Sequence, residues 1–301
     1  MRLIVGYLAT PTGEDGLVLG VQLARSLGAA LDICMVVPPD RAVPAEARFA
    51  ELLAQRGRAW LDQAAASVPD DIETAVHLSF SESFSSGLMD EAARLGSDAI
   101  VVGGAKDGLL GRHTLGTVST ELLHSAPIPL ALAPFGYRTS TADRIREVTC
   151  AMGTRTGADL VLRTAVRSCE RMHTSLRLLS LVPLDDTSDI ESLRDPDREA
   201  RAIDHAQQML DAARSGLPDS LTVTSSVADG STVEAAVSGL TWEDGDVVVV
   251  GSSRLAQPRR LFLGSTASKM LRALPVPMVV VPSTEFRSDM PSSTDPTEAS
   301  R

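Results

Sequence analysis

Short apolar runs alternate with longer stretches of helical periodicity along the chain. In the first half, runs rich in Val, Ile, Leu and Ala are separated by segments such as the one with Leu19, Leu23 and Leu27 four residues apart. Runs of the first kind are typical of buried strands, and the spacing of the second kind is typical of amphipathic helices. The pattern predicts strands over Leu3–Leu8, Leu31–Val37, Ile72–Leu78, Ala99–Val102 and Ile128–Ala133, and helices over Leu17–Leu27, Ala45–Ser67, Gly87–Leu95 and Thr117–Ser125.

Turn-forming, edge-strand and helix-capping residues refine this pattern. Pro11 to Gly16 is rich in turn-forming residues and is predicted to be a turn. The strand over Ile72–Leu78 alternates more with polar residues, so it is placed nearer a sheet edge. In the second half, Asp246 leads into an all-valine strand, Val247–Val250, and Ser231 with Glu234 three residues later predicts a capping box for the third helix.

The alternation of strands and helices predicts an α/β fold. Such alternation indicates βαβ units and a parallel sheet, doubly wound with helices on both faces. Ligands of these sheets bind beyond the carboxyl ends of the strands, where the strand order reverses. The loops that follow Gly103 and Gly251 are therefore the expected site.

The chain also repeats itself. The segment starting at Val101 aligns without gaps to the segment starting at Val249, 148 residues later. Identical residues in this register include the pairs Gly103/Gly251, Arg112/Arg260, Leu115/Leu263, Gly116/Gly264, Leu123/Leu271, Pro127/Pro275, Pro129/Pro277 and Pro134/Pro282. A repeat of this length predicts two tandem domains, each with five parallel strands. We place them at residues 1–138 and 145–283, and we expect the Pro-, Ser- and Thr-rich residues 284–301 to be a disordered tail.

Composition and charge narrow the classes of function. Apolar residues make up 44% of the 301 residues and aromatic residues only 3%, which suits aliphatic cores under Ala- and Leu-rich helices. The net charge of −11 disfavours nucleic acid and anionic lipid as partners. With no long apolar segment and no signal-peptide pattern, the chain is predicted to lack a membrane span and to be cytoplasmic.

No catalytic or metal-binding motif stands out. The three cysteines, Cys34, Cys150 and Cys169, are widely spaced and are interpreted as reduced structural thiols. The five histidines show no metal-ligand spacing. Neither a GxSxG elbow nor a GxxxxGK[ST] loop is present. The sequence therefore favours a protein without catalytic residues or metal.

Each repeat carries a pattern suited to an anion. Gly103 ends the fourth strand and Gly116-Thr117 opens the next helix; in the second repeat these places hold Gly251 and Gly264-Ser265. Unpaired N–H groups at a helix N-terminus attract phosphate, and glycine permits close approach of the ligand. The same residues also have a purely structural interpretation, because glycine is common at strand ends and Ser or Thr at helix starts.

The duplicated run of Val-Val-Gly, a loop, Leu-Gly-[Ser/Thr], a short helix and a Pro-x-Pro strand resembles the C-terminal half of a universal stress protein domain. The resemblance covers residues 1–135 and 145–283 and identifies the chain as a tandem member of that family. It implies a Rossmann-like fold of the adenine nucleotide α-hydrolase type, a role in the stress response, and ATP or another adenine nucleotide as ligand. By the same resemblance the candidate cofactor-binding residues are Val36, Gly103, Lys106, Gly116, Thr117, Val118, Gly251, Arg254, Gly264, Ser265 and Thr266.

Two departures from the family pattern leave the ligand open. The middle glycine of the ATP-binding motif falls on Lys106 and Arg254, and the aspartate after the first strand falls on Leu8 and near Met152-Gly153. A cation at the first of these places either reaches a phosphate, fills the pocket or is solvated outside it. The adenine-contact position falls on Val36 and Leu181, which are explained equally well as core.

Three functions stay open at this point. The first is a regulatory module that binds adenine nucleotide, and the second is an interaction or assembly protein whose ATP sites have eroded. The third is a slow ATP hydrolase, for which Asp107 is the one carboxylate in the loop.

Assembly is predicted from the last strand of each repeat. Ile128 to Ala133 and Val276 to Val281 are apolar, and unpaired apolar edges invite pairing. The resemblance also implies such pairing, because universal stress protein domains dimerise through this strand. We therefore expect the two repeats to pair within the chain as a pseudo-dimer; a homodimer of whole chains and the identity of a protein partner stay open.

Overall fold

The computed structural model describes residues 1–38, 44–104, 116–152, 158–183, 196–252 and 261–282. Within these ranges the strands are β1 (Arg2–Gly6), β2 (Ala30–Val37), β3 (Thr74–Phe80), β4 (Ala99–Gly103), β5 (Leu130–Ala133), β6 (Glu147–Met152), β7 (Ser175–Pro183), β8 (Val223–Gly230), β9 (Asp246–Gly251) and β10 (Met278–Val281). The helices are α1 (Pro11–Leu27), α2 (Pro44–Ala66), α3 (Phe84–Leu95), α4 (Thr117–Ser125), α5 (Ala158–Met172), α6 (Pro196–Ser215), α7 (Val233–Ser238) and α8 (Ser265–Ala273). The predicted tail, 284–301, lies outside the described residues.

All ten strands belong to one sheet in the order β3-β2-β1-β4-β5-β10-β9-β6-β7-β8. Neighbouring strands run parallel within β1–β5 and within β6–β10. Each half is thus a five-stranded, doubly wound α/β unit, which confirms the predicted fold class. β3 lies at one end of the sheet, as its alternating pattern predicts.

The two halves meet at a single antiparallel pair of strands, β5 and β10. Val279 lies opposite Ala131 and Met278 lies opposite Leu132. This pairing within the chain confirms the expectation that the two last strands join. It also satisfies the backbone groups of two apolar edges that would otherwise attract other chains.

Both cores extend across this junction. Alternate side chains of β2 point to opposite faces of the sheet, so Ile33 packs in the core under α1 and α2, and Cys34 packs in the core under α3 and α4. Each core also contains residues of the second half, for example Val249 in the first core and Val248 in the second. The sheet therefore separates two continuous apolar layers that bind both halves together.

Helix α1 begins earlier than the sequence pattern indicated. Thr10 is its N-cap, with Oγ1 accepting a hydrogen bond from the N–H of Gly13 at 3.2 Å, and Pro11 is the first helical residue. Proline suits this position because its missing N–H has no partner there anyway. The prediction of a turn over Pro11–Gly16 is wrong, since these residues form the first turns of the helix.

A second cap differs from its prediction by one residue. Helix α7 is capped by Thr232, whose Oγ1 accepts from the N–H of Ala235 at 3.1 Å. Ser231 and Glu234 therefore do not form the predicted capping box. By contrast, α4 spans the predicted residues, Thr117–Ser125.

One ion pair between neighbouring strands occurs in both halves with its charges reversed. The guanidinium of Arg2 on β1 donates to the buried carboxylate of Asp32 on β2 at 2.7 and 2.8 Å. At the equivalent register positions of β6 and β7, Glu147 lies 3.3 Å from Arg177. Because the attraction needs only opposite signs, either arrangement neutralises these positions.

Three buried polar residues along α1 hold the joining segment, residues 134–146, which connects β5 of the first half to β6 of the second. The carboxylate of Asp15 accepts from the backbone N–H of Gly136 at 2.9 Å and of Arg138 at 2.7 Å. Seven residues on, the amide of Gln22 accepts from the Tyr137 hydroxyl at 2.5 Å. Asp15 and Gln22 are 0% and 2% exposed, so the joining segment is docked through desolvated hydrogen bonds.

The same stripe secures the end of this segment. The Gln22 amide also donates to Ser140 Oγ and to the Ala142 carbonyl, both at 2.8 Å. Ser26 Oγ, one turn further along α1, accepts from the N–H of Ile145 at 2.8 Å. The joining segment therefore adopts one defined path over α1.

We expect Gln22→Leu to destabilise the chain by about 2–3 kcal/mol, because it leaves buried partners of the amide unpaired. Urea unfolding followed by circular dichroism measures the effect as a lower midpoint. The matched control is Gln207→Leu, since Gln207 is an exposed helical glutamine that bonds to Asp211 in its own helix. Equal midpoints for the two variants would contradict the assigned role of Gln22.

All three cysteines are predicted to be unreactive in the folded protein. Cys34, Cys150 and Cys169 are 0% exposed, and burial raises the pKa of each thiol to about 12. Since the thiolate is the reactive form, Ellman's reagent at neutral pH should modify no thiol in native protein and three in guanidinium. Modification of any cysteine faster than global unfolding would show that the core opens locally.

Candidate functional site

The strand order places the site of each half between its first and fourth strands. β1 lies between β2 and β4, so the chain leaves β1 towards one side of the sheet and later returns on the other side. In such a sheet the crevice at the carboxyl ends of these two strands is the usual ligand position. Leu8 and Gly103 stand there in the first half, and Gly251 stands at the equivalent place in the second.

The first-half crevice is closely packed by the start of α1. A Cβ added to Gly103 would lie 1.8 Å from the Thr12 carbonyl oxygen, and one added to Gly16 would lie 2.7 Å from the backbone N of Gly103. These contacts require glycine at position 103 whether or not a ligand binds. Leu8 is 41% exposed, so the position of the family's aspartate holds a solvent-facing leucine.

The second half differs at the equivalent glycine. A Cβ on Gly251 would meet the Val161 side chain of α5 at 2.6 Å. This neighbour is a side chain rather than helix backbone, so it has more freedom to shift. Met152, the last residue of β6, is half-buried. Gly153 lies outside the described residues.

The N-termini of α4 and α8 are nearly identical in geometry. Their N-cap residues, Gly116 and Gly264, have φ −68° with ψ 166° and 164°, and neither of these residues makes a side-chain capping hydrogen bond. The hydroxyl-bearing residues that follow, Thr117, Ser265 and Thr266, are exposed. Uncapped N–H groups, exposed hydroxyls and the positive end of the helix dipole together form a site suited to a phosphate group.

The charge one turn along these two helices is opposite. Glu121 follows Thr117 by four residues on α4, and Lys269 follows Ser265 by four residues on α8. Residues four apart lie on the same face of a helix. The second site therefore has an ammonium group on the face that starts at Ser265, and the first site has a carboxylate on the corresponding face.

The Glu121 carboxylate is bound to the start of α3. Its Oε2 accepts from Ser83 Oγ at 3.3 Å and makes a closer hydrogen bond with Ser85 Oγ. The exposed carboxylate is thereby held at the junction of α3 and α4. This carboxylate places a fixed negative charge one turn along α4, where it would repel an anion approaching the start of that helix.

The residues that lead into α8 cross to the first half. The N–H of Leu261 donates to the carbonyl of Ala126, just after α4, at 3.0 Å, and the Phe262 ring contacts His124 edge-on with centroids 5.1 Å apart. Ser252 Oγ accepts from the Phe262 N–H at 2.8 Å and donates to its carbonyl at 3.3 Å. The start of the second site is thus anchored to the first half.

The remaining candidates divide into core residues and undescribed residues. Val36 is 7% exposed and lies under α3, where a Cβ on Gly87 would meet it at 2.7 Å. Val118 and Leu181 are half-buried and pack on the same core. Lys106, Asp107 and Arg254 lie outside the described residues.

Several residues of this region were not singled out by the sequence analysis: Ser83, Ser85, Glu121, Ser252, Leu261, Phe262 and Lys269. The opposite charges at 121 and 269 are visible once the repeats are aligned 148 residues apart. The contacts of Ser252 and Leu261 carry no such signal, because they join positions that only the fold brings together.

The described ranges also lack a metal site and a membrane-spanning helix. There, no group of three or more His, Cys, Asp or Glu side chains is arranged to hold a metal ion. Likewise, none of the described helices has the length and apolar character needed to cross a membrane.

Comparisons with known proteins agree with this architecture. The model of the universal stress protein family matches the chain twice, over residues 1–134 and 144–282. Universal stress proteins of Mycobacterium bovis and of Mycobacterium tuberculosis are each 28% identical over 297 residues, covering 94% of this chain and 100% of the relative. A crystal structure of a universal stress protein from Archaeoglobus fulgidus superposes with a TM-score of 0.58 at 15% identity, covering 94% of this chain and 98% of that one. The duplicated sheet, the two matching helix starts and these likenesses show that the chain belongs to the universal stress protein family, with two copies of its domain in tandem.

Proposed function

We propose that this chain is a stress-response regulatory module that binds ATP or another adenine nucleotide, and that its second half provides the stronger site. Membership of the family supports the stress-response role. Buried, reduced thiols are consistent with the cytoplasm as its compartment.

The uncapped N-terminus of α8 is the observation that carries this proposal. Gly264 adopts φ −68°, which any residue tolerates, so its backbone conformation does not require glycine. At this position glycine places no side chain of its own over the first N–H groups of the helix, which a phosphate group can then approach. The exposed hydroxyls of Ser265 and Thr266 add donors beside them.

The two halves are proposed to differ in affinity. Lys269 adds positive charge along the face of α8, whereas Glu121 adds negative charge at the same place on α4. A nucleotide phosphate carries several negative charges, so exchanging a carboxylate for an ammonium group favours the second half. We expect one nucleotide per chain at moderate concentration.

The proposed activity is binding without turnover. The described residues of the second site supply backbone N–H groups, hydroxyls and an ammonium group, all of which hold phosphate in place. Hydrolysis would also need a base positioned to activate water. A regulatory module, in which nucleotide changes contacts with a partner, is therefore favoured over a hydrolase.

A second candidate function is assembly without nucleotide. The close packing of Gly103 on Thr12 gives a structural reason for the first glycine of the ATP-binding motif. In addition, Leu8 stands where the family pattern has the aspartate near the adenosine. The continuous ten-stranded sheet gives the chain a large, rigid surface. If this alternative is correct, the glycines at the starts of α4 and α8 serve only to stabilise the fold.

Nucleotide binding is tested first by mass spectrometry of denatured protein and by calorimetric titration with ATP. We expect Gly264→Val to weaken binding at least about tenfold, because the valine side chain covers the helix N–H groups. Gly116→Val should have a smaller effect. The control is Gly216→Val, since an added Cβ there meets no atom closer than the Ala213 carbonyl oxygen at 3.7 Å.

Each outcome of this titration assigns one function. Loss of binding in Gly264→Val alone, with the melting temperature unchanged, establishes the second site. If wild-type protein neither releases nucleotide nor gives a heat signal, the assembly function is the correct one.

The charge difference between the halves gives a second prediction. Lys269→Glu should weaken ATP binding about tenfold at low salt, and added salt should reduce the difference, because the effect is electrostatic. Arg272→Glu makes the same charge change at the far end of α8 and serves as control. Equal losses in the two variants would show that net charge, rather than a local contact, governs binding.

A further inference from the structure

A cavity of about 480 Å³ lies between the joining segment and the second half. Its walls come from residues 134–140, from residues 242–244 just before β9, and from residues 275–276 just before β10. This volume is within the usual range of small-molecule sites. The cavity lies at the start of β9, whereas α8 follows its end, so six strand residues, roughly 20 Å, separate it from the proposed phosphate site.

The walls of this cavity are held in place before any ligand binds. Asp244 accepts hydrogen bonds from Ser140 Oγ at 2.5 Å and from the N–H groups of Thr141 at 2.7 Å and Ala142 at 3.1 Å. The Trp242 indole donates to the Val237 carbonyl at 3.0 Å. A preorganised wall lowers the entropic cost of ligand binding.

Much of the lining is aromatic or aliphatic. Phe135, Tyr137 and Trp242 contribute rings, and Val276 with two prolines contributes aliphatic surface. Rings offer a cation an attractive face as well as apolar contact area. The lining therefore suits a ligand with an apolar group.

The charge of the lining is negative. Glu243 and Asp244 both line the cavity, and its described lining residues include no Lys, Arg or His. Although burial alone would raise the pKa of Asp244, the hydrogen bonds from Ser140, Thr141 and Ala142 hold that pKa below its usual range. Asp244 is therefore ionised at neutral pH.

Three nearby arginines of the described ranges are each paired with a carboxylate other than Asp244. These ion pairs, all outside the lining, are Arg138 with Asp15 at 3.1 Å, Arg146 with Asp246 at 2.6 Å and Arg177 with Glu147 at 3.3 Å. Two of these guanidiniums also stack on lining rings, Arg138 on Phe135 at 5.2 Å and Arg177 on Trp242 at 4.5 Å. Glu243 is also 3.6 Å from Arg146 but remains 60% exposed. Among the described residues named here, three arginines stand against five carboxylates, and the two carboxylates in the lining are Glu243 and Asp244.

We propose that this cavity is a second ligand site, for a small organic cation that carries an ammonium group beside an aromatic or aliphatic group. The ammonium group is held by Glu243 and Asp244, and the apolar group packs against Trp242 and Val276. Because the cavity is built from both the joining segment and the second half, its ligand also strengthens the contact between them.

Trp242 provides the readout. The chain has two tryptophans, so Trp60→Phe leaves Trp242 as the fluorophore. Benzyltrimethylammonium is the probe, and phenylacetate, which has the same ring with the opposite charge, is the matched comparison. We expect a saturable change of fluorescence and a raised melting temperature with the cation only.

Glu243→Gln should weaken binding of the cation about fivefold, because one carboxylate is lost from a partly exposed site. Glu73→Gln is the control: Glu73 is an exposed glutamate 3.7 Å from Arg2 in the first half. Binding of both probes alike, no saturable response, or equal effects of the two variants would overturn the proposal. If Glu243→Gln does not fold, the comparison of cation with anion on the Trp60→Phe protein still decides it.

Discussion

The antiparallel pairing of β5 with β10 is the constraint on which the rest of the molecule depends. It turns two five-stranded sheets into one sheet of ten strands and lets both apolar cores run across the junction. Because the pairing is antiparallel, the strands of the two halves run in opposite directions, and their carboxyl ends lie on opposite sides of the sheet. The proposed phosphate sites therefore lie on opposite sides, while the cavity forms where the end of β5 meets the start of β10. The buried polar stripe of α1 then fixes the joining segment that closes this cavity.

The two copies have diverged in ways that the fold tolerates unequally. The ion pair of Arg2 with Asp32 is reversed in Glu147 with Arg177, and both versions neutralise the same positions between neighbouring strands. Such a reversal preserves stability, because a pair requires only opposite charges. The opposite charges of Glu121 and Lys269 stand one turn into α4 and α8 instead, on helices whose starts are the proposed phosphate sites. The first exchange maintains the pairing of neighbouring strands, and the second underlies the proposed difference between the two sites.

Much of this architecture could be predicted from the sequence, because buried parallel strands and amphipathic helices leave strong periodic patterns. The bounds of α4 and the pairing of the last strands were predicted for this reason. The start of α1 was missed because Pro11, Gly13 and Gly16 are turn formers, although Thr10 before a proline is also a helix-start pattern. Asp15 and Gln22, on the buried face of that helix, were a visible but unused signal. The contacts of Ser252 and Leu261 could not be predicted, since they join distant positions through packing alone. Lys106 and Arg254 remain predictions.

Fusion of the two copies in one chain has a physical consequence for regulation. In a symmetric pair of identical domains, any substitution appears at both sites, so their intrinsic affinities change together. In a tandem chain one site can lose its attraction for phosphate while the other keeps it, and the shared sheet is unaffected. The contacts of Leu261 and Phe262 with the end of α4 link the proposed site at α8 to the first half. A ligand bound at the proposed site would therefore act on a junction between two unlike halves, which a pair of identical domains does not have.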